Sequence, residues 1–208
     1  MIVSGNLDRV VSGHVGIDPG IEGAIAFWYS GRVTEVIDMP KHTILVGGSE
    51  RIVVDYLALT QILTKYINQN FRFTVELTPV FITMKGGSSS SANWSLGYSQ
   101  GFMTAFFISK NASFRFVRTQ EWHKAYGYKD IDFRSVEQFK TDGQKSSERK
   151  RLTKLHSLKI ARQIAPHIQY ALPGKTFKTG RTTNEKLLDG RCEAVLIAKH
   201  GNDYGKRY

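Results

Sequence analysis

The stretch "HVGIDPGIEGAIAFW", residues 14–28, decides how the chain is read. It begins as an apolar strand, turns at Pro19-Gly20 and resumes as a second apolar strand from Gly23 to Trp28. "RVTEVIDMP", residues 32–40, alternates like a third strand and stops at Pro40. Together the three predict an antiparallel meander with turns at "DPGIEG" and "YSGR". The first strand ends in an acid, Asp18. A carboxylate there is costly to bury unless it is paired or bound to a metal.

Working outward, "TILVGGSERI" reads as a loop, and "VVDYLALTQILTKYINQN" has helical period with Leu57, Ile62, Leu63, Tyr66 and Ile67 on one side. "FRFTVEL" is a fourth strand. "GGSSSSANWSLGYSQGFMTAFFISK" opens as a Gly/Ser loop and becomes an apolar helix, with Gly97 and Gly101 four apart. "SFRFVRTQEWHKAYG" starts as a strand and turns helical at Thr119. "YKDIDFRSVEQFKTDGQKSSERKR" is polar without a clear period and reads as a mobile segment. "RLTKLHSLKIARQIAP" is an amphipathic helix ending before Pro166, and "HIQYALPGKTFKTGRTT" is a basic loop. Thr183 or Asn184 can cap a last helix that stops at Gly201. The order β-β-β-α-β-α-β-α-α predicts an α/β fold, one mixed central sheet with helices on its faces. Residues 1–13 read as an N-terminal extension, 14–201 as a single domain and 202–208 as a tail.

Three more acids stand where an acid is unexpected. Glu76 ends the fourth strand, and "EKLLDGRCEAVLIAKHG", residues 185–201, carries Asp189 and Glu193 four apart on one helical face. Like charges so spaced destabilise a helix by a few tenths of a kcal/mol, roughly. If the first and fourth strands are neighbours, Asp18 and Glu76 meet at one edge of the sheet, and the last helix can bring Asp189 and Glu193 there. Carboxylates so crowded raise one another's pKa. Mg²⁺, or Mn²⁺, would resolve the conflict, because hard cations prefer carboxylate oxygens. Two such ions about 4 Å apart can activate water and stabilise the leaving oxygen of a phosphodiester. Taken singly, "IDPG" is a common turn sequence and Glu76 an acid just past a strand; the constellation carries the reading. "GGSSSS" lacks the Gly-Lys-Ser/Thr ending of a nucleotide-binding loop. The histidines show no zinc spacing, and no Ser elbow supports a triad.

The net charge of +11 is uneven. Residues 1–109 carry 7 Lys/Arg against 8 Asp/Glu, residues 110–181 carry 17 against 6, and residues 182–208 carry 5 against 4. An excess confined to one stretch points to a polyanion, nucleic acid ahead of a membrane surface. No apolar run is long enough to span a membrane, and the start of the chain lacks the apolar core of a secretory signal. The lone cysteine, Cys192, fits a reducing, intracellular compartment and sits on the apolar side of its helix as a packed thiol.

In order, Ile17-Asp18-Pro19-Gly20, Glu76, "MKGGSSSSANWSLGYSQG" and "DGRCEAVLIAKHG" resemble the RuvC-family Holliday junction resolvases of the RNase H-like superfamily. The ending and "TQEWHKAYG" are most like those of the compact phage and viral members. The resemblance spans roughly residues 14–201. It implies an RNase H-like fold and a crossover junction endodeoxyribonuclease. Asp18, Glu76, Asp189 and Glu193 would be its catalytic residues and the ligands of two Mg²⁺ ions. It implies paired symmetric nicks by a homodimer on branched DNA, with no membrane partner. A phage or viral member would work in the host-cell cytoplasm; an organellar one is the alternative. Bacterial members have two acids three apart before the alanine. Here Gly190 stands at the first place, so Asp189 replaces it, with Glu185 one turn earlier as a weaker candidate.

Lys85, Arg118, Lys124, Lys145, Arg149, Lys150, Arg151 and Lys154 are the candidate phosphate contacts, and Phe81 or Trp94 could stack on a base at the crossover. Gly97 and Gly101, with Phe102, Phe106 and Phe107, offer either a dimer face or packing on the sheet. Two other readings remain: a related nuclease acting on other branched DNA or RNA–DNA hybrids, and a non-catalytic nucleic-acid-binding protein of the same fold. An actin-like ATPase shares the acidic strand-hairpin but is much longer.

Overall fold

A computed structural model describes residues 2–3, 11–77, 90–173 and 186–205, with backbone alone at 2–3 and 90–96. Phe81, Lys85, Thr183, Asn184 and Glu185 lie outside the described residues, as does the side chain of Trp94.

The meander forms as expected. Strand β1 (Ile2–Val3) precedes β2 (Gly13–Ile17), β3 (Ala24–Tyr29) and β4 (Arg32–Asp38), the last three pairing antiparallel in series. A hairpin follows, β5 (Lys41–Val46) and β6 (Ser49–Val54). Helix α1 (Tyr56–Asn68) then leads into β7 (Phe71–Leu77), and α2 (Ser90–Ser109) into β8 (Phe114–Arg118) and α3 (Thr119–Ala125). Helix α4 (Asp142–Ile164), the short strands β9 (Ala171–Leu172) and β10 (Lys186–Leu187), and α5 (Asp189–Tyr204) complete the order. The main sheet runs β1-β8-β7-β2-β3-β4, with β7 parallel to both β2 and β8. This is the mixed sheet with a three-strand meander expected of an RNase H-like fold.

Strand periodicity divides the core. Val15, Ile17, Ile25, Phe27, Phe73 and Val75 point to α1 and α2, where Leu59, Leu63, Met103 and Phe107 meet them. Ala24, Ala26 and Trp28 point the other way, to α4 and α5, against Ala161, Cys192, Val195 and Ala198. Helices therefore cover both faces. Phe106 and Phe107 are buried in the first cluster and Phe102 packs against it, so these aromatics serve the sheet. Cys192 is a fully buried thiol, as its place on the helix predicts.

Three expectations are corrected. "TILVGGSERI" is not a loop but most of the β5–β6 hairpin, turning at Gly47 and Gly48 with φ of 57° and 79°. Both central residues of this tight turn need positive φ, which glycine supplies. The ribbon is exposed on both faces, with Leu45 74% and Ile52 60% accessible, so no polar–apolar alternation marks it. Second, the polar segment read as mobile holds two short 3₁₀ turns, Tyr128–Asp130 and Arg134–Gln138, and the first turns of α4. Those turns are mostly solvent-facing and show no apolar period. Their start was nonetheless written in the sequence, because Thr141 and Gln144 form a reciprocal capping box. Third, α5 begins at Asp189 and runs past Gly201 to Tyr204. Residues 186–187 pair with β9, which holds the chain extended up to Leu188.

What sets α5 in place is the absence of side chains. A Cβ on Gly16 would fall on the backbone of Ala194 and Ala198, and one on Gly190 would fall on the backbone of Glu22 and Gly23. Arg191 then fastens the start of the helix, pairing with Asp38 at 2.6 and 2.8 Å and donating to the Gln169 carbonyl at 2.9 Å. Gly16→Ala should destabilise the protein by about 1–3 kcal/mol through overpacking. Gly143→Ala, whose Cβ meets open space on α4, should be neutral or stabilising by up to about 1 kcal/mol. Urea unfolding of the two variants beside the parent checks both signs.

Candidate metal centre and nucleic-acid cleft

Parallel pairing of β2 with β7 sets Ile17 opposite Val75, so the next residues, Asp18 and Glu76, stand side by side at the strand ends. Residues 14, 16 and 18 face α5, as do 72, 74 and 76 on β7. Because Gly16 lets α5 lie on β2, Glu193 reaches the same point. One carboxylate oxygen from each of Asp18, Glu76 and Glu193 lies within 4.8 Å of the others.

The three are held differently. Asp18 Oδ1 accepts the Gly20 amide at 3.1 Å, closing the turn that the Pro19-Gly20 pair starts. Glu76 is buried, and its Oε1 accepts Thr119 Oγ1 at 2.6 Å and Trp122 Nε1 at 3.2 Å. Thr119 and Trp122 escaped the sequence reading as site residues. Their only signal was the family-like segment "TQEWHKAYG". Among the described residues no neighbour holds Glu193 by a comparable hydrogen bond, and its place on α5 is what aims it.

Burial sets the electrostatics. It pushes Asp18 up to about 7, with Glu76 and Asp189 adding to the rise and the Gly20 amide opposing it. It pushes Glu193 up to about 8, helped by the negative charge of Asp18, Glu76 and Asp189 and opposed by Lys154. Glu76 is raised by burial and lowered in part by its two hydrogen bonds. Near neutral pH Asp18 is partly and Glu193 mostly protonated, and a cation would replace those protons. A cluster of hard oxygen donors lacking enough positive charge fits Mg²⁺ or Mn²⁺, with Asp18, Glu76 and Glu193 as the ligands.

Asp189 stands apart from the three. It occupies the first position of α5, where the helix N-terminus favours an anion, and its Oδ2 lies 2.5 Å from Lys154 Nζ. Gly190 cannot carry the acid of the bacterial pattern, because the Glu22–Gly23 backbone fills that space.

Of the basic candidates, Lys145, Arg149, Lys150 and Lys154 share a face of α4 and line a cleft of about 610 Å³ that also takes in Thr153 and Glu193. Lys145 lies 3.4 Å from Glu137, and Arg149 stacks over Phe133 at 5.9 Å. Arg151 turns from the cleft to make a two-point pair with Glu148. Arg118 and Lys124 are exposed at the two ends of α3, outside the cleft. Among the described residues no helix is long and apolar enough to cross a membrane.

No family model matches the chain, and no curated protein matches it in sequence. Among solved structures it is similar to Thermus thermophilus RuvC in complex with a Holliday junction substrate. The identity is 11% and the TM-score 0.44, over 93% of this chain and 94% of that one. A second Thermus thermophilus RuvC structure is similar at 10% identity and a TM-score of 0.43, over 92% and 96% of the two chains.

The raised carboxyls make stability depend on pH. Between roughly pH 4 and pH 8 the folded chain keeps protons on Asp18 and Glu193 that the unfolded chain has released. Their contribution is therefore full at low pH and is lost as pH rises through about 7 to 8. In a chelator, the melting midpoint of Glu193→Gln should fall less than that of the parent across this window. Mg²⁺ should raise the parent's midpoint more at about pH 8 than at about pH 6, because metal binding displaces protons.

Proposed function

We propose that this protein is a metal-dependent, structure-selective DNA endonuclease that resolves four-way junctions. One observation carries the reading: Asp18, Glu76 and Glu193 converge at the end of a cleft whose wall is the basic face of α4. A pure binding protein gains nothing from buried carboxylates set beside phosphates. Divalent ions held by these acids, two per site with Asp189 taking part, would activate water and stabilise the leaving oxygen of a phosphodiester. The chain supplies the rest. Asp18 and Glu193 would hold the ions from a turn and a helix, and Thr119 and Trp122 orient Glu76. Lys145, Arg149, Lys150 and Lys154 fix the strand by its phosphates, which positions the duplex without reading its sequence.

The choice of junction over other substrates rests on the ordered motifs, above all "DGRCEAVLIA", which favours the compact phage-type resolvases. Two nicks placed symmetrically require two sites, hence a homodimer. The exposed stripe of Tyr98, Gly101 and Ile108 on α2 is the face left for it once Phe106 and Phe107 are committed to the core. A related nuclease working on flaps or RNA–DNA hybrids is the second reading, favoured by the same carboxylates and cleft. Arg118, Lys124 and Arg151, off the cleft, would meet outlying arms; Lys85 keeps its proposed phosphate contact and Phe81 its proposed stacking at the crossover.

Asp18→Asn should reduce cleavage of a synthetic four-way junction in Mg²⁺ to background and leave junction binding nearly intact. Full cleavage by this variant would remove Asp18 from the site, and preferential cutting of flaps or hybrids by the parent would select the second reading. Arg149→Ala and Lys150→Ala should each weaken binding to all duplex sequences alike. Each should also reduce the slope of log affinity against log salt by about 1, read by fluorescence anisotropy.

A further inference from the structure

Four acids crowd one corner of the fold, yet they are not equivalent. Three offer oxygens to a common point. The fourth, Asp189, already has a cation: the Lys154 ammonium sits 2.5 Å from its Oδ2. Lys154 comes from a different helix and lies on the wall of the cleft that ends at Glu193. Its side chain is 47% accessible and that of Asp189 30%, so the pair is at the mouth of the site and not sealed within it.

We propose that Lys154 is a positioning residue that stands in for a second metal ion in the DNA-free protein. The three-acid cluster then takes one divalent ion, and the place beside Asp189 is filled by an ammonium. The inference rests on the metal site put forward above and refines its count.

The reasoning is electrostatic and geometric. A second ion beside Asp189 would lie close to the Lys154 ammonium, and two positive charges a few ångströms apart repel. The ion can enter only if the ammonium leaves. Lysine suits that role, being a single charge on a flexible four-carbon stem. A DNA phosphate in the cleft offers Lys154 another anion within reach of its stem. Substrate binding would thus release Asp189 and admit the second ion in one step, so the site is completed where a phosphodiester is already in place.

Isothermal titration with Mn²⁺ in the absence of DNA tests the count directly, apart from any cleavage. The parent should bind one ion per chain. Lys154→Met should bind two, a doubling of stoichiometry. The conservative Lys154→Arg should return to one. Lys154→Met combined with Asp189→Asn should also bind one, which locates the added ion on Asp189. Two ions bound by the DNA-free parent, or one bound by Lys154→Met with its fold intact by circular dichroism, would overturn the inference. Loss of all Mn²⁺ binding in Glu193→Gln supports the three-acid site on which it rests. A parent that binds no ion would overturn that underlying site as well, so the two failures are told apart.

Discussion

Everything at the carboxylate cluster depends on the backbone of α5 touching the backbone of β2 and the turn that follows it. Gly16 and Gly190 make that contact possible from opposite sides, since a Cβ on either would collide with main chain. Main-chain contacts have no flexible end to move aside, so the helix has one depth and one rotation available to it. Arg191, bound to Asp38 and to the Gln169 carbonyl, removes the remaining freedom at its first turn. Only then does a side chain as long as that of Glu193 arrive at a point defined by the ends of two strands.

The same closeness generates the charge problem. Acids pressed between a sheet and a helix lose water, and the rise of Asp18 to about 7 and Glu193 to about 8 is mainly that loss. The fold tolerates the cost unevenly. Glu76 receives two hydrogen bonds, Asp18 one amide, and Asp189 an ammonium and a helix N-terminus. Glu193, raised to about 8, is the acid that joins the cluster to the basic cleft.

Much of this was legible beforehand because it is local or periodic. The strand-turn-strand pattern at 14–28 gave the meander, the apolar end of "FTVE" gave β7, and the four-residue spacing of Asp189 and Glu193 gave a shared helical face. What stayed hidden depends on partners far along the chain. Nothing near Glu76 announces Thr119 and Trp122, forty residues on, and nothing near Asp189 announces Lys154. The β5–β6 ribbon was unreadable for another reason: exposed on both faces, it has no buried side to leave a period of two. The first turns of α4 likewise face solvent, and only the capping box at Thr141 marked them. The replacement of an acid by Gly190 looked like a departure until the Glu22–Gly23 backbone showed there was no room for one.

The hydrogen bonds of Glu76 have a consequence for how any mutational survey of these acids is interpreted. Asp18 and Glu193 can be neutralised and the neighbouring elements keep their own supports. Truncating Glu76 also strips Trp122 of its buried partner and Thr119, the first residue of α3, of its acceptor. Trp122 is fully buried against Tyr128, Leu196 and Ile197, so the disturbance spreads to the far side of α5. A truncation at Glu76 therefore confounds lost chemistry with lost architecture. A glutamine there, which keeps an acceptor oxygen, is the cleaner probe, and Asp18 and Glu193 are the positions at which an inactive variant speaks about charge alone.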